Sequence, residues 1–295
     1  MPDIKVDMYA DDTTLHIAGN NPHDVIYHLQ SAMDRLLKWL EINRLVLNVD
    51  KTKLMFIGST KKVNLIKRDE VNVTVKGKTL EIVDSAKILG MHIDSQLKFH
   101  KHVESITQKI SGKIGFLRRL KASIPQKELS LLFKALVNPH FNYCSSVWSG
   151  ASAANNDKLF KLQKRGLRMI CNAPWNAPTK DLFSVLDWMP LPELLVENDC
   201  KMLFKCMNDQ APNYLFRCFT LFDNNIYSTR QRTSKTLMLP QCKTSMYRKS
   251  FIFRGAKIWN RLEQDIKCCK YLSTFKHKLK TNPILPLLAQ HFYSF

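Results

Sequence analysis

The stretch Asp7-Met8-Tyr9-Ala10-Asp11-Asp12-Thr13-Thr14-Leu15 sets two adjacent carboxylates inside a run that otherwise reads as strand. Neighbouring negative charges repel and cost stability unless a cation or a hydrogen-bond network compensates them. Hard divalent cations such as Mg²⁺ take carboxylate oxygens and usually keep substrate phosphates among their other ligands. A pair of such ions can activate a hydroxyl and steady a leaving pyrophosphate. Taken alone, the dipeptide reads more simply as a solvated turn, because Asp is a common turn residue.

The elements around the pair are those of a rigid mount. Residues 4–10 and 13–19 read as two short strands with the aspartates at the turn between them. Asn20-Asn21-Pro22 then starts a helix. Val25, Leu29, Ala32, Met33, Leu36, Leu37 and Leu40 recur at helical spacing and give it one apolar face. Further strands are expected at 45–48, 54–58, 71–75, 80–83 and 86–94. After residue 98 the pattern changes. Val103, Ile106, Ile110, Ile114, Leu117, Leu120 and Ile124 step by three and four, and Lys109, Lys113, Arg118, Arg119 and Lys121 load the same helix with positive charge. Helices are also predicted at 126–137, 155–171, 179–186, 193–208, 251–262 and 271–280, with residues 220–250 less regular and basic. The fold class expected is α+β, followed by a mostly helical C-terminal region.

The charge is uneven. The 295 residues carry a formal net charge of +20, yet residues 1–60 hold 6 Lys and Arg against 8 Asp and Glu, whereas residues 61–295 hold 39 against 17. A basic body of this size favours an anionic polymer, most often nucleic acid, over a merely soluble basic surface. No apolar run reaches the roughly 18 residues of a membrane span, and no secretory signal is visible in the opening residues. An intracellular protein, nuclear or cytoplasmic, is therefore expected. The eight cysteines form no C-x-x-C pair, so free thiols are expected rather than disulfides. Cys268, Cys269 and His277 match no standard zinc spacing and lack a fourth ligand, so no zinc is expected.

The flanks of the aspartate pair change its reading. Tyr9-Ala10-Asp11-Asp12, followed by Thr13-Thr14-Leu15, resembles the catalytic hairpin of a reverse transcriptase. Further blocks follow in order: Leu47 to Phe56 (LNVDKTKLMF), Lys87 to Asp94 (KILGMHID), Phe133 to Tyr143 with Ser146-Val147-Trp148, Leu162 to Ile170, and Ser250-Phe251 through Gly255 to Leu262. Together they resemble the non-LTR, LINE-type reverse transcriptases, in particular the jockey-like group, from the hairpin through the thumb and C-terminal segment.

That resemblance implies roles. Asp11 and Asp12 would bind Mg²⁺ or Mn²⁺, with Tyr9 beside the primer terminus. Lys51 would lie near the incoming nucleotide's phosphates as a general acid, although a lysine in such a turn is also ordinary. Leu89 and Gly90 would form the primer-grip turn, where Gly permits close backbone approach. Lys109, Lys113, Arg118 and Arg119 would follow the backbone of an RNA template and DNA primer. The implied layout is a partial palm over 1–97, a thumb-like region over 98–150 and a basic, mainly helical region over 151–295. In the family a further palm aspartate and the fingers precede the hairpin, whereas ten residues precede Asp11 here, and Asp3 and Asp7 lie too close along one strand to substitute. The expectation is therefore a fragment of an RNA-directed DNA polymerase that is inactive by itself, with an open edge on its first strand. The alternative is a basic RNA- or DNA-binding protein derived from a mobile element. Oligomeric state is not legible.

Overall fold

The computed structural model describes residues 4–222 and 235–292; Asp3 and the 223–234 part of the stretch expected to be irregular lie outside them. The chain divides into two compact units, Met1–Leu97 and Lys98–Phe295. The first is α+β and the second is almost entirely helical. Among the described residues no helix is long and apolar enough to cross a membrane.

The first unit opens with β1 (Lys5–Tyr9) and β2 (Asp12–His16), an antiparallel pair, followed by α1 (Pro22–Ile42). Asn21 caps α1 by accepting from the His23 N–H, with Pro22 in the first turn where its missing N–H costs nothing. Short strands follow: β3 (Lys53–Leu54), then, beyond α2 (Thr60–Asn64), β4 (Thr74–Val75), β5 (Lys78–Thr79), β6 (Glu81–Ile82), β7 (Ser85–Ile88) and β8 (Met91–Asp94). They form four separate two-stranded sheets, β1–β2, β3–β6, β4–β5 and β7–β8. Two-stranded sheets are marginal alone, so packing must hold them. Met33, Leu54, Val71, Val73, Val75 and Leu80 form the buried core, with Ile26, Leu29, Leu36 and Leu37 of α1 packed on it. Gln30 adds a directional link. Its amide donates to the Thr74 carbonyl at 3.0 Å and accepts from the Thr74 N–H at 2.8 Å, so a helix side chain takes the place of a missing strand beside β4.

The strand expected at 45–48 is not formed. Leu47 and Val49 do pack on the core, but the backbone there closes a turn. Asn48 accepts from the Lys51 N–H at 3.1 Å through its side chain and from the Thr52 hydroxyl at 2.8 Å through its carbonyl. An Asx turn of this kind competes directly with ladder pairing. The strand expected at 54–58 is likewise cut to its first residue, in β3.

The second unit starts with α3 (His100–Leu120), α4 (Gln126–Leu136), α5 (Asn138–Asn142), α6 (Ser145–Trp148) and α7 (Ala153–Ile170). Next come α8 (Lys180–Val185), α9 (Leu191–Met207), α10 (Asn213–Phe216), α11 (Ser245–Lys249), α12 (Phe251–Arg261), α13 (Gln264–Lys267), α14 (Leu272–Thr281) and α15 (Ile284–Phe292). α9 is the centre. It is buried on most sides, as a helix without a solvent face must be, and α5, α6, α7, α10, α12, α14 and α15 all pack on it. Its buried start is satisfied from α7: Gln163 accepts from the Leu191 N–H at 2.7 Å and donates to the Met189 carbonyl at 2.9 Å.

α9 also carries Asp199, which is 0% exposed. Arg254 of α12, 5% exposed, donates to it through Nε at 2.8 Å. The same guanidinium donates to the carbonyls of Lys249 at 2.6 Å and Ser146 at 2.9 Å and to Ser149 Oγ at 2.9 Å. One side chain thus ties α6, α9, α11 and α12. The chain passes so closely that a Cβ on Gly150 would lie 2.3 Å from the Lys249 carbonyl oxygen.

Breaking a buried pair from one side leaves an uncompensated charge, a loss of about 3–5 kcal/mol. Arg254→Met is therefore expected to lower the unfolding free energy of the chain by about that much in urea titration. Lys276→Met, at an exposed position of α14, is the control and should cost under about 1 kcal/mol.

Candidate catalytic hairpin and nucleic-acid interface

The register of β1 and β2 pairs Tyr9 with Asp12 and leaves Ala10 and Asp11 as a two-residue loop. Ala10 takes a left-handed φ of 52°, which costs an L-residue about 1–2 kcal/mol. Ten non-glycine residues among those described share that conformation, so it defines the turn and does not mark a site. Strand alternation puts Lys5, Asp7 and Tyr9 on one face with Asp12, Thr14 and His16, and Val6 and Met8 on the other with Thr13 and Leu15. Asp7 lies 3.3 Å from His16 Nδ1.

Leu15 reaches the core, but β1 stays in solvent throughout: Val6 is 51% exposed, Met8 61% and Tyr9 68%. Its one partner strand among the described residues is β2, so its outer edge is open. Asp11 and Asp12 are both exposed at the tip. They supply oxygen donors of the kind Mg²⁺ or Mn²⁺ takes. Among the described residues, no group of three or more Asp, Glu, His or Cys side chains is placed to hold a metal ion. The pair therefore fits part of a metal-ligand set and not a two-ion centre.

The other expected residues occupy separate turns. Lys51 is exposed in the Asn48 turn, and no hydrogen bond or ion pair among the described residues joins it to either aspartate. Its neighbours are paired, Lys53 with Glu81 across the β3–β6 sheet and Asp50 with Lys78 of β5. The hydrogen bond from Lys78, and then its charge, hold the Asp50 carboxyl below the usual carboxylate range. Leu89 and Gly90 form the two-residue loop between β7 and β8, with φ of 46° and 83°. Positive φ at both central residues is the type I′ hairpin signature. Gly meets that demand freely, whereas Leu89 is held in it with its side chain half exposed.

In the second unit the basic helix forms as expected, but its charges do not share one face. At about 100° per residue, Lys109 and Lys113 flank the buried stripe Val103-Ile106-Ile110-Ile114-Leu117 on one side. Arg118 falls about 140° round from Lys113, on the other side, and Arg119 on the outer face. Lys109 and Lys113 do act together on His140 of α5. Burial pushes its pKa below the usual histidine value, and the charges of Lys113 and Lys109 add to this.

A larger effect follows the division of the chain. Residues 1–97 hold 13 Lys and Arg against 13 Asp and Glu, and residues 98–295 hold 32 against 12. The whole net charge therefore sits in the helical unit. Part of it lies on α7, where Lys158, Lys161, Lys164, Arg165 and Arg168 recur at steps of three and four. That spacing is legible in the sequence itself.

Comparison with known proteins finds similarity to retrotransposon RNA-directed DNA polymerases. The chain is 26% identical over 186 residues to the RNA-directed DNA polymerase from mobile element jockey of Drosophila melanogaster, a match covering 61% of this chain and 19% of that protein. It is 25% identical over 170 residues to the probable RNA-directed DNA polymerase from transposon BS of the same species, covering 57% and 18%. Over 172 residues it is 24% identical to the Pol polyprotein from the type-1 retrotransposable element R1 3 of Nasonia vitripennis, covering 56% and 42%. The matches thus reach about a fifth of the length of the jockey and BS relatives. No protein-family model and no solved structure matches the chain.

The lysine cluster makes a measurable statement about His140. Its folded pKa is lowered, so protonation is disfavoured in the folded state, and stability is lost as pH falls through the unfolded value near 6.5. NMR titration should place its midpoint below that value. Lys109→Gln with Lys113→Gln should move the midpoint upward; an unchanged midpoint would show that the lysines do not act on it.

Proposed function

We propose that this chain is the part of a retrotransposon RNA-directed DNA polymerase that carries the aspartate hairpin and the basic helical body after it. By itself it grips nucleic acid without extending a primer. The observation that carries the reading is the Tyr9-Ala10-Asp11-Asp12 turn, with both carboxylates presented at the tip of a two-residue hairpin loop. The similarity to the jockey and BS polymerases supports the same reading. Asp11 and Asp12 would then be metal ligands, Tyr9 a neighbour of the primer end, and Leu89 and Gly90 the turn that meets the primer backbone. The layout of a partial palm, a thumb-like 98–150 and a basic 151–295 belongs to this proposal as well.

Inactivity of the chain alone follows from chemistry. Two-ion catalysis needs both ions held on the attacking and leaving oxygens, and two exposed carboxylates at one turn do not hold them. Lys51 is an exposed cation without a fixed partner among the aspartates, so its role as general acid would also need groups supplied from elsewhere. The charge of residues 98–295 favours the binding half of the proposal, because neutralising phosphates releases counterions and gives affinity irrespective of sequence.

The test is primer extension by the purified 295-residue chain on an RNA template with Mg²⁺, alongside binding of the same template–primer at 50 and 200 mM salt. Binding that weakens steeply with salt, with no product above background, is expected. Mg²⁺-dependent product abolished by Asp11→Ala would overturn the claim of inactivity. Absence of binding at either salt concentration would overturn the proposal as a whole.

A further inference from the structure

The exposed side of α7 is organised beyond what net charge requires. Taking Lys158 as the origin, the helical rotation of about 100° per residue places Lys158, Arg165, Lys161, Arg168 and Lys164 within an arc of about 120°. The residues that α7 buries, among them Leu159, Leu162, Gly166, Leu167 and Ile170, occupy the opposite side. The stripe runs for about 15 Å along the axis. Asp157 is the one acid on the helix, and Lys161 already pairs with it at 2.6 Å. Two more of the five cations serve local structure. Lys164 lies over the Phe160 ring, 3.9 Å from its centroid. Arg168 donates through Nε to the Ala177 carbonyl at 3.0 Å. Lys158, Lys161 and Arg165 remain in solvent.

Arg168 does more than hold one carbonyl. The chain after α7 turns back on it: the Ala173 N–H donates to the Arg168 carbonyl at 3.0 Å and the Ala177 N–H to the Pro174 carbonyl at 3.0 Å. Lys121, at the end of α3, donates to Asn172 Oδ1 at 2.6 Å. The turn so fixed carries Trp175 with 87% of its surface exposed. A single exposed tryptophan on a loose loop needs no account. Here the loop is tied at both ends, flanked by Pro174 and Pro178, and set at the C-terminal end of a basic stripe. An aromatic ring presented next to a row of cations is the arrangement that engages bases and phosphates of a single strand together.

We propose that the exposed face of α7, ending at Trp175, is a track for single-stranded nucleic acid, in which Lys158, Lys161 and Arg165 meet backbone phosphates and Trp175 stacks on a base. The inference rests on the reading that the chain binds nucleic acid, and it locates that binding. Crowding of like charge is consistent with it. Lys164 is pushed below the usual lysine range first by burial and then, against the pull of Asp157, by Arg168 and Lys161. A duplex keeps its base faces stacked internally, so the ring gives it no advantage. An anionic vesicle or an acidic polypeptide can use the cations but has no bases for the ring.

The experiment uses the full chain and a labelled 20-nucleotide oligo(U), read by fluorescence anisotropy between 50 and 300 mM salt, with circular dichroism melts to show that each variant folds. The triple variant Lys158→Gln, Lys161→Gln, Arg165→Gln should lower affinity at least tenfold and flatten the log–log salt slope by about 2, at about 0.7 per phosphate contact on a single strand. Trp175→Ala should lower affinity by about fivefold or more and leave the slope unchanged, while Trp175→Phe keeps most of the binding. Heparin should bind the Trp175→Ala chain as well as it binds the unaltered one. Affinity and slope within twofold of the unaltered chain for both variants would overturn the track while leaving nucleic-acid binding in place. A loss with heparin equal to that with oligo(U) on Trp175→Ala would overturn the stacking role. Failure of the unaltered chain to bind oligo(U) would overturn this inference and, where the template–primer also fails to bind, the reading beneath it.

Discussion

The helical unit depends on one buried charge pair. Asp199 sits in the middle of α9, a helix with almost no solvent face, and an uncompensated carboxylate there would be untenable. Arg254 answers it and spends its remaining donors on Ser146, Ser149 and Lys249. Replacing such a pair with well-fitted apolar groups can be neutral or better, so the pair is not the source of stability as such. What it fixes is arrangement. With one guanidinium of α12 bound to three other segments, α12 and the turns beside α6 and α11 have a single way to dock on α9. α7 is set on α9 by a second polar device, the Gln163 amide on the backbone groups of Met189 and Leu191 at the buried start of α9. Polar contacts of fixed geometry thus decide which face of α7 is turned to solvent, and the basic stripe inherits that orientation.

The two units divide the chemistry between them. The first holds the aspartate hairpin and no net charge; the second holds the whole excess of Lys and Arg. Under the proposed function, that separation lets the helical body make the grip on a polyanion. The open edge and exposed apolar side chains of β1 belong with this division. An unpaired edge is a liability in a free chain, and a strand added at that edge would cover it.

Much of this could be read from the residues, and the exceptions have physical causes. The stripe from Val103 to Ile124 predicted α3, although the helix ends at Leu120, because a long amphipathic period has few competing interpretations. The hairpin at Asp11 was legible for the same reason in the strand period. Two prolines stand in first turns. Pro139 and Pro192 are the second residues of α5 and α9, where a missing N–H costs nothing. The strand at 45–48 failed because Asn48 offers the backbone a local turn. The Asp199–Arg254 pair joins residues 55 apart, and no periodicity reports a contact of that range. In the sequence Arg254 is one more cation of a basic region. The candidate site divides likewise: Asp11, Asp12 and the Leu89-Gly90 turn were visible as local patterns. The α7 face was visible only once its buried side and the pinned Trp175 turn were known.

The central claim is that nucleic acid is held by the helical unit and not by the aspartate hairpin. Hydrogen-exchange mass spectrometry of the whole chain, with and without a saturating RNA oligonucleotide, tests it directly. The account predicts new protection in peptides covering α7 and the 172–177 turn, with residues 5–16 exchanging alike in both states. Protection confined to residues 5–16, with α7 unchanged, would contradict it.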